Sequence, residues 1–174
     1  MAELERLGPT LPAIARRAIA SWLEGGVRFA AAHPGAPSAP VFVTLRTKDG
    51  NLRGCIGSLV AIEADVASET ARSAVLAATR DPRFQPVCAD ELCGLRIEVS
   101  VLMECEPVSS LADLDPARWG VVVADHTGRR GLLLPEVPGI ESAAAQVEIA
   151  RRKAGVPEGA PVTLWRFGVV KFCD

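Results

Sequence analysis

Apolar positions near the start of the chain recur with a helical period: Leu11, Ile14, Ala15, Ala18, Ile19, Trp22 and Leu23 fall at i, i+3, i+4, i+7 and i+8 spacing. The pattern predicts an amphipathic helix from Leu11 to about Ala31, with Thr10 as its cap, Pro12 in the tolerant first turn, and Gly25-Gly26 ending or bending it. The proline-rich stretch HPGAPSAP reads as a loop, after which Val41 to Arg46 alternates as a strand. Asp49-Gly50 takes up the positive φ angles of a tight turn, so a second strand, Leu52 to Leu59, is expected directly behind it. Glu63 to Thr79 carries Ala67, Ala71, Ala74, Val75 and Ala78 on one narrow face, which suits a helix packed closely on a sheet, and Asp81-Pro82 stops it.

Further along, Leu95 to Leu102 alternates with Ile97, Val99 and Val101 on one face and Glu98 and Ser100 on the other. Trp119 to Ala124 and Gly131 to Leu134 read as strands joined by the turn Asp125 to Arg130. Glu141 to Ala154 reads as a helix capped by Gly155, and Val162 to Phe172 supplies the last strands. Strands adjoin strands more often than they alternate with helices, which predicts an α+β fold with a mostly antiparallel sheet rather than a doubly wound one. At 174 residues the expectation is one domain over residues 1–174.

Composition sharpens this picture by exclusion. A formal net charge of −2 gives no general attraction to phosphate backbones or anionic lipid. The N-terminus mixes Glu3, Glu5 and Arg16-Arg17 with its apolar residues, unlike a secretory leader, and no run approaches the roughly 20 apolar residues of a membrane span. The expectation is a cytoplasmic protein with no membrane association. Aromatic residues make up 5% with no Tyr, so the core is expected to be finely packed and aliphatic. Five cysteines without C-x-x-C spacing argue for reduced thiols rather than disulfides or a zinc site. No G-x-G-x-x-G, Walker loop or H-E-x-x-H is present, so no cofactor and no metal are expected.

Candidate chemistry concentrates in Leu52 to Gly57. On a period of two, Arg53, Cys55 and Gly57 share one strand face, which sets a guanidinium beside a thiol, the surroundings of a nucleophilic sulfur. Gly54 and Gly57 lack side chains and allow close approach to the backbone. The alternative is that Cys55 is a packed filler and Arg53 a surface residue. Glu98 and Ser100 either line the same cavity, with Glu98 as a base or as the partner of Arg53 or Arg83, or belong to a solvated sheet face. Arg83 either clamps an anionic group or Asp81 merely caps a turn. His126 lies in a turn, where histidines are ordinarily solvated. Arg129-Arg130 and Arg151-Arg152-Lys153 are short basic clusters, and RNA contact through them stays open.

The segments FVTL (Phe42 to Leu45), LRGCIGSL (Leu52 to Leu59), DPRFQPV (Asp81 to Val87), EL (Glu91-Leu92), IEVSVL (Ile97 to Leu102), GRRGLLLPEV (Gly128 to Val137) and KAGV (Lys153 to Val156) occur together in order. This set resembles the AMMECR domain family, and most closely its bacterial and archaeal members known as protein A of the AmmeMemoRadiSam system. The resemblance implies an α+β fold of two subdomains with a cleft between them, faced by LRGCIG. It also implies a radical SAM protein and a Memo-like protein as partners, but no defined reaction; enzymatic and RNA-related roles have both been suggested for the family. The family motif positions fall on Arg53, Gly54, Cys55, Gly57, Asp81, Arg83, Phe84, Glu98 and Ser100. Two positions depart from it: Glu136 stands where relatives commonly have Gln, and Arg151 stands where they often have a cysteine, which weighs against a two-cysteine mechanism. Three readings follow: an enzyme acting on a small molecule through Cys55, a non-catalytic adaptor, and an RNA-associated protein.

Overall fold

The computed structural model describes residues 2–174, arranged as two compact units. Unit 1 runs to Leu102 and regains Val170–Asp174; unit 2 is Met103–Val169. The architecture is α+β with antiparallel strand pairing throughout the registers below, as the sequence pattern predicts.

In unit 1 a short helix α1 (Ala2–Leu7) leads through a 3-10 turn (Gly8–Thr10) into α2 (Leu11–Gly25). Thr10 does not cap α2 as expected: its backbone is already right-handed helical and its hydroxyl donates to the Leu7 carbonyl at 2.7 Å. The helix also stops well short of Ala31, because Gly26 adopts φ +68° and its N–H closes on the Trp22 carbonyl. Leu11, Ala15, Ala18 and Ile19 are buried, whereas Trp22 is 37% exposed.

Strands β1 (Val41–Arg46) and β2 (Leu52–Gly57) form the expected hairpin, with Gly50 at φ +82° in its turn. The first part of β3 (Arg96–Val108) pairs on the other side of β1, giving the order β2-β1-β3. Val41, Val43, Leu45, Ile97, Val99 and Val101 share one face and are all buried. Helix α3 (Val66–Thr79) packs against β1 and β2. It starts where the Asp65 carboxylate accepts the N–H groups of Ala67 and Ser68 at 3.0 and 2.9 Å. Its alanine face is buried as predicted at Ala67, Ala71, Ala74 and Ala78, with Ala77 added, while Val75 is only half-buried. A four-residue helix, α4 (Ala89–Leu92), was not legible as a periodic segment because it is shorter than two turns.

In unit 2 the strands β4 (Gly120–Ala124), β5 (Arg130–Leu133) and the first part of β6 (Thr163–Cys173) are ordered β6-β4-β5, and every residue of β4 is buried. Helix α5 (Ala143–Ala154) covers β4 and β5 and is closed by Gly155 at φ +68°, the predicted cap. The core here is Leu114, Val121, Val123, Leu133, Val147 and Ala150. Strand β3 is longer than expected, continuing through Met103 to Val108, and β6 is one strand where more than one was expected. No helix among the described residues is long and apolar enough to cross a membrane.

Candidate functional site

The registers of unit 1 set one row of polar side chains across three strands: Cys55 on β2 lies opposite Thr44 on β1, which lies opposite Glu98 on β3. The next row is Gly57, Phe42 and Ser100. Because side chains alternate, this face is opposite the one packed on α3. Burial is graded across it: Cys55 and Glu98 are half-buried, Thr44 is 5% exposed and Ser100 fully buried. Thr44 Oγ1 lies 3.3 Å from Cys55 Sγ, and Ser100 Oγ lies 3.4 Å from Glu98 Oε1. Thr44 thereby links the sulfur to the row, a role that its place as a small polar residue between Val43 and Leu45 signalled and that sequence reasoning missed. Cys55 and Glu98 do not share a hydrogen bond; two strand spacings, roughly 10 Å between backbones, separate them. The Cys173 Sγ sits 3.9 Å from Glu98 Oε2. Burial, and then the Glu98 charge, push the Cys173 thiol above its usual range.

The glycines of this segment are explained by packing. A Cβ on Gly54 would stand 2.3 Å from the Ala77 carbonyl oxygen, so what approaches the backbone there is the chain's own α3. A Cβ on Gly57 would meet Phe42 and the Val41 oxygen at 2.4 Å. At both glycines the space that a side chain would take is filled by the chain itself.

Arg53 is likewise committed, and Arg83 is committed in part. Arg53 grips Glu91 through Nε and Nη2 at 2.9 and 3.0 Å and donates from Nη1 to the Gln85 carbonyl at 2.9 Å. That hydrogen bonding, with the Cys88 N–H after it, lowers the Glu91 carboxyl below its usual range. Neither arginine pairs with Glu98 among the described residues. Asp81, 5% exposed, accepts the Cys55 N–H at 2.8 Å and a bidentate pair from Arg83 at 2.9 and 2.7 Å. The Arg83 hydrogen bonds hold the Asp81 carboxyl at about 2, against burial, which pushes it up, and with help from the Cys55 and Arg83 N–H groups. Asp81 in turn raises the Arg83 guanidinium, to which the Cys55 charge adds a smaller Coulombic pull. Phe84 lies beside both cations, 6.0 Å from Arg53 and 5.5 Å from Arg83. The LRGCIG and DPRF segments are thus one interlocked unit that covers the edge of β2.

Elsewhere, His126 is exposed in its turn, and Asp125 beside it accepts from Thr127 and Arg129. Arg129 also binds the Gly155 carbonyl, and Arg151 and Arg152 both pair with Glu148, so much of the basic clusters serves local capping. Arg151 further pins the Pro157 and Ala160 carbonyls at 3.1 and 2.7 Å, which gives this departure a structural role. Glu136 holds a left-handed backbone, φ 58°. All five cysteines are free, and among the described residues no three His, Cys, Asp or Glu side chains converge as a metal set.

The sequence profile of the AMMECR1 family matches residues 12–172. The chain belongs to the AMMECR1 family. A relative from Thermotoga maritima is 44% identical over 135 residues, covering 77% of each chain. One from Clostridium acetobutylicum is 40% identical over 75% of this chain but only 27% of its own length, so there the AMMECR1 region is part of a longer protein. The crystal structure of an uncharacterized protein from Pyrococcus horikoshii superposes with a TM-score of 0.85 at 29% identity, covering 97% of this chain and 92% of that one. The fold is therefore shared with this archaeal protein, and the LRGCIG and DPRF interlock lies inside the span that the AMMECR1 profile matches.

Proposed function

We propose that this AMMECR1 protein is protein A of an AmmeMemoRadiSam system, acting in the cytoplasm, and that the Cys55 face is a reaction site with the thiol as nucleophile. The observation that carries this reading is the Thr44 hydroxyl 3.3 Å from Sγ, on a thiol that is neither fully buried nor disulfide-bonded. A hydroxyl donating to sulfur solvates a thiolate as it forms. In such a step the thiol proton passes to solvent, the sulfur bonds to an electrophilic carbon of a small molecule, and the bond to the leaving group breaks with its electron pair going to that group. Arg83 is the anion-binding residue: its Nε and Nη2 serve Asp81, its side chain is 54% exposed, and Nη1 faces no partner among the described residues. Arg53 and Asp81 are positioning residues for the strand that carries Cys55. Glu98, supported by Ser100, stands far enough along the row to accept a proton from the bound molecule rather than from the thiol.

The test is paired alkylation with iodoacetate and iodoacetamide, followed residue by residue by mass spectrometry. Cys55 is expected to favour the anionic reagent relative to the exposed Cys88 and Cys93, and Arg83→Gln to remove that preference. Identical reagent selectivity at all three thiols contradicts an anion-directed Cys55 site.

A second reading rests on the commitment of Arg53 to Glu91 and the Gln85 carbonyl, which makes the signature a rigid surface unit. On that reading the protein is an adaptor for the radical SAM or Memo-like protein. Titration calorimetry with each purified partner tests it, and no heat at micromolar concentration removes it. RNA association through the basic clusters is disfavoured by their local pairing, and a salt-insensitive or absent RNA affinity would dispose of it.

A further inference from the structure

Unit 1 contains a cavity of about 320 Å³ between α2 and α3, on lining residues that the Cys55 face does not use. The size lies at the lower end of the range for small-molecule sites, roughly 300–1,000 Å³. Its apolar lining comes from Ala18 and Trp22 on α2, Val75 and Leu76 on α3, and Phe29 from the segment between α2 and β1. This explains two departures from ordinary core packing, the exposure of Trp22 and the incomplete burial of Val75.

The wall is held in place by two contacts: Arg17 stacks 4.8 Å above the Phe29 ring, and Arg28 pairs with Glu63 at 2.6 Å. Three arginines, Arg28, Arg72 and Arg80, line the cavity against one carboxylate, Glu63, an excess of two positive charges. Arg28 is taken by Glu63, and Arg72 makes a single 3.5 Å contact with Glu69. The Arg80 backbone N–H closes α3 on the Leu76 carbonyl, but its guanidinium has no hydrogen-bond or ion-pair partner among the described residues. A cation just past the end of α3 favours the helix dipole, but that role does not require it to line an apolar cavity.

We infer that this cavity is a binding site for a small hydrophobic carboxylate, with an aromatic or branched aliphatic body against Trp22 and Leu76 and its carboxylate on Arg80. The fork of a guanidinium matches the two oxygens of a carboxylate, and the predominance of apolar lining residues excludes a strongly hydrated polyanion as the better fit. The small volume and the Arg28–Glu63 contact favour a compact molecule over an extended peptide.

The test uses the full chain, 15N-labelled, with 4-phenylbutyrate and its neutral amide as probes. The Trp22 indole resonance, assigned by its loss in Trp22→Phe, is expected to shift with 4-phenylbutyrate, and the amide to bind about tenfold more weakly. Arg80→Gln, at an exposed position, is expected to keep the thermal midpoint and to bring both probes to the same affinity. The inference is overturned by an unmoved Trp22 at up to about 10 mM probe, by equal binding of acid and amide to the native protein, or by an undiminished preference in Arg80→Gln. It is overturned equally if an acidic amphipathic peptide shifts Trp22 where 4-phenylbutyrate does not.

Discussion

The outer strands of the two units, β2 in unit 1 and β5 in unit 2, carry the same packing device. Each stands last in its strand order, and each lies under a helix at a single glycine. The missing Cβ of Gly54 would fall 2.3 Å from the Ala77 carbonyl oxygen of α3, and that of Gly131 2.2 Å from the Ala150 carbonyl oxygen of α5. The flanking residues differ. Gly54 stands between Arg53 and Cys55, whose surroundings include Glu91, Thr44 and the Asp81–Arg83 pair. Gly131 follows Arg130 and precedes Leu132, and no nucleophile adjoins it. The recurrence in unit 2 assigns the glycine of LRGCIG to helix packing, leaving Arg53 and Cys55 as the residues particular to the site.

The comparison breaks first at the glycines. Gly54→Ala and Gly131→Ala are each expected to cost about 3 kcal/mol, because the obstructing atom is backbone and a whole helix must shift. Urea unfolding measures both, and a native-like midpoint for either variant ends the parallel. Next is Asp81→Asn, expected to cost about 2 kcal/mol at neutral pH. The folded Asp81 carboxyl lies at about 2, below its ordinary 3.8, so its stabilisation is complete above about pH 4 and is lost as pH falls toward 2. Asp81→Asn should therefore flatten the acid limb of the stability curve in that window; an unchanged limb contradicts the assignment. Arg53→Lys keeps the charge but loses the fork to Glu91, for an expected cost of about 1 kcal/mol and faster hydrogen exchange in residues 84–91. The smallest stability effect is expected for Thr44→Val, within about 1 kcal/mol of native by thermal unfolding.

What the sequence allowed to be read, and what it hid, follows from range. Local signals carried far: the Asp49-Gly50 turn, the alternation of β1 and β3, the alanine face of α3 and the Gly155 cap are encoded within a few residues. Cys55 and Glu98 were placed on the right strands by the same alternation. Partners at long range were not legible. That Arg53 belongs to Glu91 and the Gln85 carbonyl, and that Asp81 receives the Cys55 N–H, depends on how the loop after α3 folds over β2. The role of Gly54 was hidden because a glycine in a strand signals close approach without naming what approaches. Thr10 misled because its cap signal met a preceding 3-10 turn that already continued the helix.

The central claim, that Cys55 is the reactive thiol because of Thr44, is tested most directly by the rate of Cys55 alkylation relative to exposed Cys88 in the native protein and in Thr44→Val. The account predicts that Cys55 reacts faster than Cys88 at neutral pH although it is less exposed, and that Thr44→Val slows Cys55 alone. A Cys55 slower than Cys88 and indifferent to Thr44 would contradict it and leave the thiol a packing group.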